Sequence, residues 1–310
     1  MRTCLGIVCG IIFIIACSFF VFVLNLDQTV YNASFDKQAI NSSGIYQSAP
    51  AAIVEMISSG QVTTSSDQEL PAVTKDILIN TVKTIITPEI LKKHSESIID
   101  QTLSNKNIVT EDLSDINNGI NSKMGSTFSE IFGVSVTANP SNTFIPNTVT
   151  FDKSKNQFGQ SVIYHNKVLW VSLVASLLFL VLLFFSCANN YKSRFKWVGG
   201  FLIVASVFTL INFIVFRLVG FDWLIKVFNA NISENWINSV SSQLIKLVSL
   251  LKIRFSLLYL YEFAVLAIFS VIFFLISALI PAKQIIQAPI QQTKPTINPP
   301  KGPGNGQKNS

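Results

Sequence analysis

Residues 168–187 read VLWVSLVASLLFLVLLFFSC, 20 residues without one charge. Crossing a hydrocarbon layer of ~30 Å at ~1.5 Å per residue takes about 20 residues. A helix suits that layer because it bonds its own backbone groups where no water can. The stretch is apolar on every side and too long for an ordinary buried core helix, so it predicts a membrane span. Three further charge-free runs repeat it: Cys4–Leu24, Val198–Phe216 and Phe263–Ala282, of 21, 19 and 20 residues. Only 13% of the 310 residues are charged, and mean hydropathy is +0.47. An ordinary soluble domain carries ~25% charged residues. These figures exclude a disordered chain, a disulfide scaffold and a purely soluble enzyme.

The expected fold class is an all-α membrane protein with four transmembrane helices plus a mainly helical extracytoplasmic domain. Lysine and arginine set the orientation. Arg2 precedes the first run, Lys192, Arg194 and Lys196 fill the loop between the second and third, and Lys283, Lys294, Lys301 and Lys308 follow the fourth. The positive-inside rule places all of them, and both termini, in the cytoplasm of a plasma or inner membrane. Trp170, Trp197, Trp223 and Trp236 flank the runs and are expected to anchor the interfaces as an aromatic belt.

The predicted organisation is an uncleaved signal-anchor helix over 1–25 and an extracytoplasmic domain over 26–166. A second span over 167–188, a loop over 189–197 and a third span over 198–220 follow. Residues 221–256 form an outer loop, 257–282 the fourth span and 283–310 a disordered, proline-rich cytoplasmic tail. In the outer loop, Ile237, Val240, Leu244, Val248 and Leu251 share one helical face. That pattern suits an amphipathic helix lying in the interface, or one packed beneath the large domain.

Residues 26–166 hold 14 acidic residues and nine lysines, a net charge of −5, while the remainder of the chain carries +11. The basic excess lies largely along membrane flanks, where it meets anionic lipid. It is no sign of nucleic-acid binding. Cys4, Cys9, Cys17 and Cys187 all fall in apolar runs, so the large segment must fold on an apolar core without disulfides. Ser34 is expected to cap a helix to Ile40, with a break over Asn41–Gly44 and a second helix over Ile45–Ile57. Gly60–Glu69 reads as a polar linker, and Pro71 as the first turn of a helix carrying Ile77, Leu78, Val82, Ile85 and Ile86. Thr87-Pro88-Glu89 is a start signal for a helix through Leu103. Thr110 is expected to cap another, interrupted or ended near Gly119, and 133–151 to be extended.

Residues that carry chemistry are few. His94 and His165 are the only histidines, and His94 falls at an apolar helical spacing. Ser193/Lys196 and Ser249/Lys252 match Ser-x-x-Lys, a spacing that places a base one turn from a nucleophile, but companion motifs are absent. Glu111, Asp112 and Asp115 read as a solvated helix start rather than a calcium site. No catalytic, cofactor-binding or metal-binding residue is expected, and no enzyme. Arg217 and Glu262 stand at neighbouring ends of the third and fourth spans, where they could pair or extend separately toward water. Gly6 and Gly10 form a GxxxG suited to close helix packing.

The segments Asn32-Ala-Ser-Phe35, Ser43-Gly-Ile-Tyr46, Ile86-Thr-Pro-Glu-Ile-Leu91 and Ile98-Ile-Asp100 resemble a family of bacterial multi-pass membrane proteins of uncharacterised function. The resemblance covers residues 1 to about 125 and implies an anchor, an extracytoplasmic helical domain and further spans. In topology alone, the chain is similar to cell-division and macrolide-exporter-type ABC permeases, with a large domain between spans one and two. Its 189–197 loop is short for coupling to an ATPase. The function expected is that of a non-enzymatic envelope protein whose acidic domain binds or assembles. A transport or mechanotransmission subunit is the alternative. Expected partners are the lipid bilayer and another envelope protein or peptidoglycan; the oligomeric state is not legible.

Overall fold

The computed structural model describes residues 2–58, 72–104, 106–132, 147–155, 157–187, 190–219 and 235–281. Four of its helices are long and apolar enough to cross a membrane. They are α1 (Arg2–Gln28), α7 (Gln157–Ser186), α8 (Tyr191–Leu218) and α9 (Asn235–Leu279). Between α1 and α7 stand α2 (Ala33–Ser43), α3 (Ile45–Ser58), α4 (Ala72–Ile85), α5 (Pro88–Leu103) and α6 (Ser114–Phe132). Strands β1 (Ile108–Asp112) and β2 (Thr148–Asp152) pair antiparallel, Ile108 opposite Asp152, and are the only sheet among the described residues. The all-α membrane class holds.

Local signals place most helix ends. Thr87 accepts from the Ile90 amide and Pro88 opens α5, as the start signal requires. Gly44 adopts φ 88°, the left-handed cap that ends α2, so the helix runs on past Asn41 to Ser43. Three local expectations are corrected. Asn32, not Ser34, caps α2, its side chain accepting from the Phe35 amide at 3.1 Å. Thr110 lies inside β1 and caps nothing; the β-branched run Ile108-Val109-Thr110 favours a strand. Gly119 does not break α6, which runs through it to Phe132; a Cβ there would meet Ile85 of α4 at 3.1 Å, so the glycine lets two helices approach. Of the 133–151 stretch, 148–151 is strand and 133–146 lies outside the described residues, as do the 60–69 linker, Pro71, Trp223 and the tail.

The domain's core joins α3, α4 and α6 through Ile57, Ile77, Leu78, Val82, Ile86, Ile116, Ile120 and Met124. A second core fills the bundle. Cys9, Phe13 and Cys17 of α1 meet Leu183 and Cys187 at the end of α7, and Val198, Leu202 and Ala205 of α8. All four cysteines are free and three are buried there as small apolar side chains. Gly6 and Gly10 serve this packing within the chain. A Cβ on Gly6 would lie 2.6 Å from the Cys187 sulfur, and one on Gly10 would overlap the Phe201 ring.

The fourth membrane helix differs most from expectation. Helix α9 is continuous over 45 residues, about 68 Å. The amphipathic stretch, expected either in the interface or beneath the large domain, is its first part, and it takes the second place. It rises from the span and packs against α2 and α3, burying Val240 and Val248. The apolar face that suited a lipid surface is covered by the protein's own domain. Trp236 belongs to this helix.

Candidate functional site

Helices α8 and α9 run antiparallel, and two hydrogen bonds set their register. The Ser270 hydroxyl donates to the Gly199 carbonyl at 2.7 Å, and Ser277 to Lys192 at 2.9 Å. A Cβ on Gly199 would press on the Phe274 ring at 3.1 Å, so a small residue is needed where the backbones approach. One step along α8 is matched by one step back along α9. Continuing the register brings Lys252 to Leu218, whose carbonyl accepts from the Lys252 Nζ at 3.4 Å.

This register separates Arg217 from Glu262. Residue 262 faces residue 207, about 15 Å along the helix from Arg217. Among the described residues no ion pair joins them; Arg217 is exposed at the end of α8. Glu262 instead accepts from the Asn25 carboxamide of α1 at 3.0 Å. Asn25 is fully buried, and its carbonyl accepts from the Thr29 hydroxyl at 2.5 Å. Among the described residues, the side-chain oxygen of Asn25 has no partner. Around the pair stand Val21, Phe255 and Tyr259, with Phe216 stacked on Tyr259 at 5.4 Å. A carboxylate inside a span is costly and marks a candidate functional position. The donor that offsets it comes from a helix 237 residues away, which no sequence spacing reveals.

A second polar cluster lies in the helical domain. His94 is buried on α5 and Glu111 is buried on β1. The His94 Nδ1 lies 2.6 Å from Glu111, and its Nε2 lies 3.0 Å from Asp115 of α6. Ser97 and Gln101, three and seven residues beyond His94, both donate to the other Glu111 oxygen, at 2.5 and 3.2 Å. Gln101 also accepts the Thr110 amide at 3.0 Å. Glu111 thereby fastens β1 along one face of α5. The helix-start reading holds for Asp112, which accepts from the Ser114 amide at 2.9 Å, but not for buried Glu111. The strand's alternation places Glu111 beside Val109 on the buried face, a signal obscured by reading Thr110 as a cap. Hydrogen bonds hold the Asp112 carboxyl below its usual range; the Lys93 ammonium does the same first for Asp115.

Among the described residues no group of three or more His, Cys, Asp or Glu is arranged to hold a metal ion. Both His94 nitrogens point at carboxylate oxygens, and the Ser97 hydroxyl donates to Glu111. Ser249 is exposed on α9, and Ser193 lies in the capped first turn of α8.

Two contacts fasten the domain side of the bundle. The His165 Nε2 of α7 lies 3.3 Å from Asp27 of α1, and its ring stacks on Tyr31 at 4.5 Å. Lys153, fully buried, donates to the Ser104 carbonyl at 2.6 Å, and burial pushes its ammonium below the usual lysine range. Its backbone occupies the space a side chain on Gly159 would need, so the first turns of α7 seat directly on the domain. Trp170 is exposed on α7, whereas Trp197 is half-buried and stacks on Phe201 at 6.0 Å.

Four apolar helices and the packing between them define the class: a multi-pass, mostly α-helical integral membrane protein. Beyond that class, no protein-family model, curated protein or solved structure matches the chain.

Proposed function

We propose that this is a non-enzymatic cell-envelope protein whose acidic helical domain, held outside the cytoplasm, binds another envelope protein or peptidoglycan. The observation that carries the reading is the continuity of α9, which clamps the domain to the spans through α2 and α3. A clamped domain presents its surface at a fixed height above the lipid, as an assembly platform requires. The net charge of −5 over residues 26–166 favours basic partner surfaces. Bacterial origin and cytoplasmic termini belong to the same proposal.

Alkaline-phosphatase fusions after Lys155 should be active and those after Lys196 inactive. The opposite pattern would overturn the orientation. For the binding role, full-length protein in nanodiscs should co-sediment with isolated peptidoglycan or crosslink to one envelope protein through the domain. Neither occurring would overturn it.

The same helix supports a second reading as a transport or mechanotransmission subunit, because a rigid rod joining span to domain can carry displacement. Ser249→Pro would remove a helix hydrogen bond and kink α9, at a cost of about 3 kcal/mol or more. A binding platform loses its fixed height after that change, but its domain surface keeps its affinity for the ligand. A transmission subunit loses function, and co-purifies with an ATPase before it.

A further inference from the structure

A cleft of about 460 Å³ opens between α2 and α9, within the ~300–1,000 Å³ range of small-ligand pockets. Its floor is apolar, with Phe35, Leu250 and Leu257, and Arg254 stands on its wall. On α2, Ser34, Gln38 and Ser42 line it at successive four-residue steps, exposed and on one helical face. Among the described residues, the side chains of Arg254, Ser34, Gln38 and Ser42 make no hydrogen bond or ion pair. The cleft thus offers one free cation, two hydroxyls and a carboxamide above an oily surface.

Its height decides what can occupy it. Lys252 bonds to Leu218 at the end of α8, which places Arg254 beside the last residues of the charge-free run that ends at Phe216. Helix α2 begins five residues beyond the end of α1. Both walls therefore meet at the membrane edge on the domain side. Below Arg254, Leu257, Leu260 and Tyr261 continue down α9 with exposed side chains, as a surface facing acyl chains does. Guanidinium binds phosphate oxygens through paired N–H donors, and the hydroxyl and carboxamide row matches a headgroup that itself carries hydroxyls.

We propose that this cleft binds one anionic phospholipid of the domain-side leaflet. Arg254 holds the phosphodiester, Ser34, Gln38 and Ser42 contact a hydroxylated headgroup, and an acyl chain lies along Leu257 and Tyr261. A soluble peptide or a second copy of the chain would not need a cation at headgroup height with an apolar track running into the bilayer beneath it.

The test uses the full-length protein in nanodiscs of phosphatidylcholine with a minor fraction of phosphatidylglycerol. The protein is then released into mild detergent and examined by native mass spectrometry. One phosphatidylglycerol should remain bound to the wild type, and millimolar inorganic phosphate should not displace it. Arg254→Gln should lower retention about tenfold, the loss of one charge-assisted contact. Ser42→Trp, which fills the cleft without altering charge, should lower it as far, and Lys246→Gln, on the same helix away from the cleft, should not. Unchanged melting temperatures would show the variants folded. Equal retention of phosphatidylcholine, displacement by phosphate, full retention by either cleft variant, or equal loss in Lys246→Gln would each overturn the proposal.

Discussion

The Asn25 carboxamide of α1 donates to the Glu262 carboxylate of α9 at 3.0 Å. The first and last spans are thereby joined, although 237 residues separate these two in sequence. The bond lies on the bundle's domain side, against Phe255 and Tyr259, and is a direct polar link from α1 to the helix that carries the domain.

We predict that Asn25→Ala weakens helix association by about 0.6–2 kcal/mol, the span for hydrogen bonds between membrane helices. Glu262→Gln keeps an acceptor for the Asn25 N–H and should lose less. Melting in mild detergent checks both. Equal stability of Asn25→Ala and wild type would show that the bond contributes nothing.

Glycine substitutions should separate packing from mere presence in a span. A Cβ on Gly10 overlaps the Phe201 ring, whereas one on Gly200 meets open space. Gly10→Val should therefore destabilise the bundle by about 1–3 kcal/mol, as overpacking does. Gly200→Val should melt close to wild type. If the two variants melt alike, α1 does not pack on α8 as described.

Glu111 accepts from Ser97 and Gln101 and contacts His94, so Glu111→Ala strands several buried polar groups at once. We predict a loss of at least ~2 kcal/mol, concentrated where β1 meets α5. Limited trypsin digestion should reach Lys92, Lys93 and Lys106 faster than in wild type. Glu111→Gln, which retains one acceptor oxygen, should lie between the two. Unaltered digestion in Glu111→Ala would remove the clasp from the account of domain stability.

Burial of Asp36 on α2 pushes its carboxyl from the ordinary 3.8 up to about 7. Between those values the folded chain keeps a proton that the unfolded chain has released. Stability from this group is therefore full below about pH 4, declines as pH rises toward 7 and levels off above. Asp36→Asn should abolish that decline, leaving the variant relatively more stable at pH 8 than at pH 5. Parallel melting-temperature profiles for wild type and variant across that range would contradict the shift.

Much of the domain was also readable. The apolar positions Ile77, Leu78, Val82 and Ile86 follow from helical spacing, and they meet in one core with Ile116 and Ile120. The α5 start at Thr87-Pro88-Glu89 follows from side-chain chemistry within four residues. The polar clusters were not readable. His94 finds Glu111 across a turn and Asp115 on the next helix, and Asn25 finds Glu262 across the whole chain. Such partners are chosen by packing, which local periodicity does not record.

The sequence alone determined that the chain crosses a membrane four times. A run of about 20 apolar residues must bond its own backbone in lipid whatever its neighbours do. Tertiary structure alone decided which residues share a depth. Gly199 lets Ser270 approach, and that contact sets a register in which Arg217 and Glu262 stand apart. It also decided that the face of Val240 and Val248 meets protein rather than lipid, because an apolar stripe specifies burial without naming what covers it.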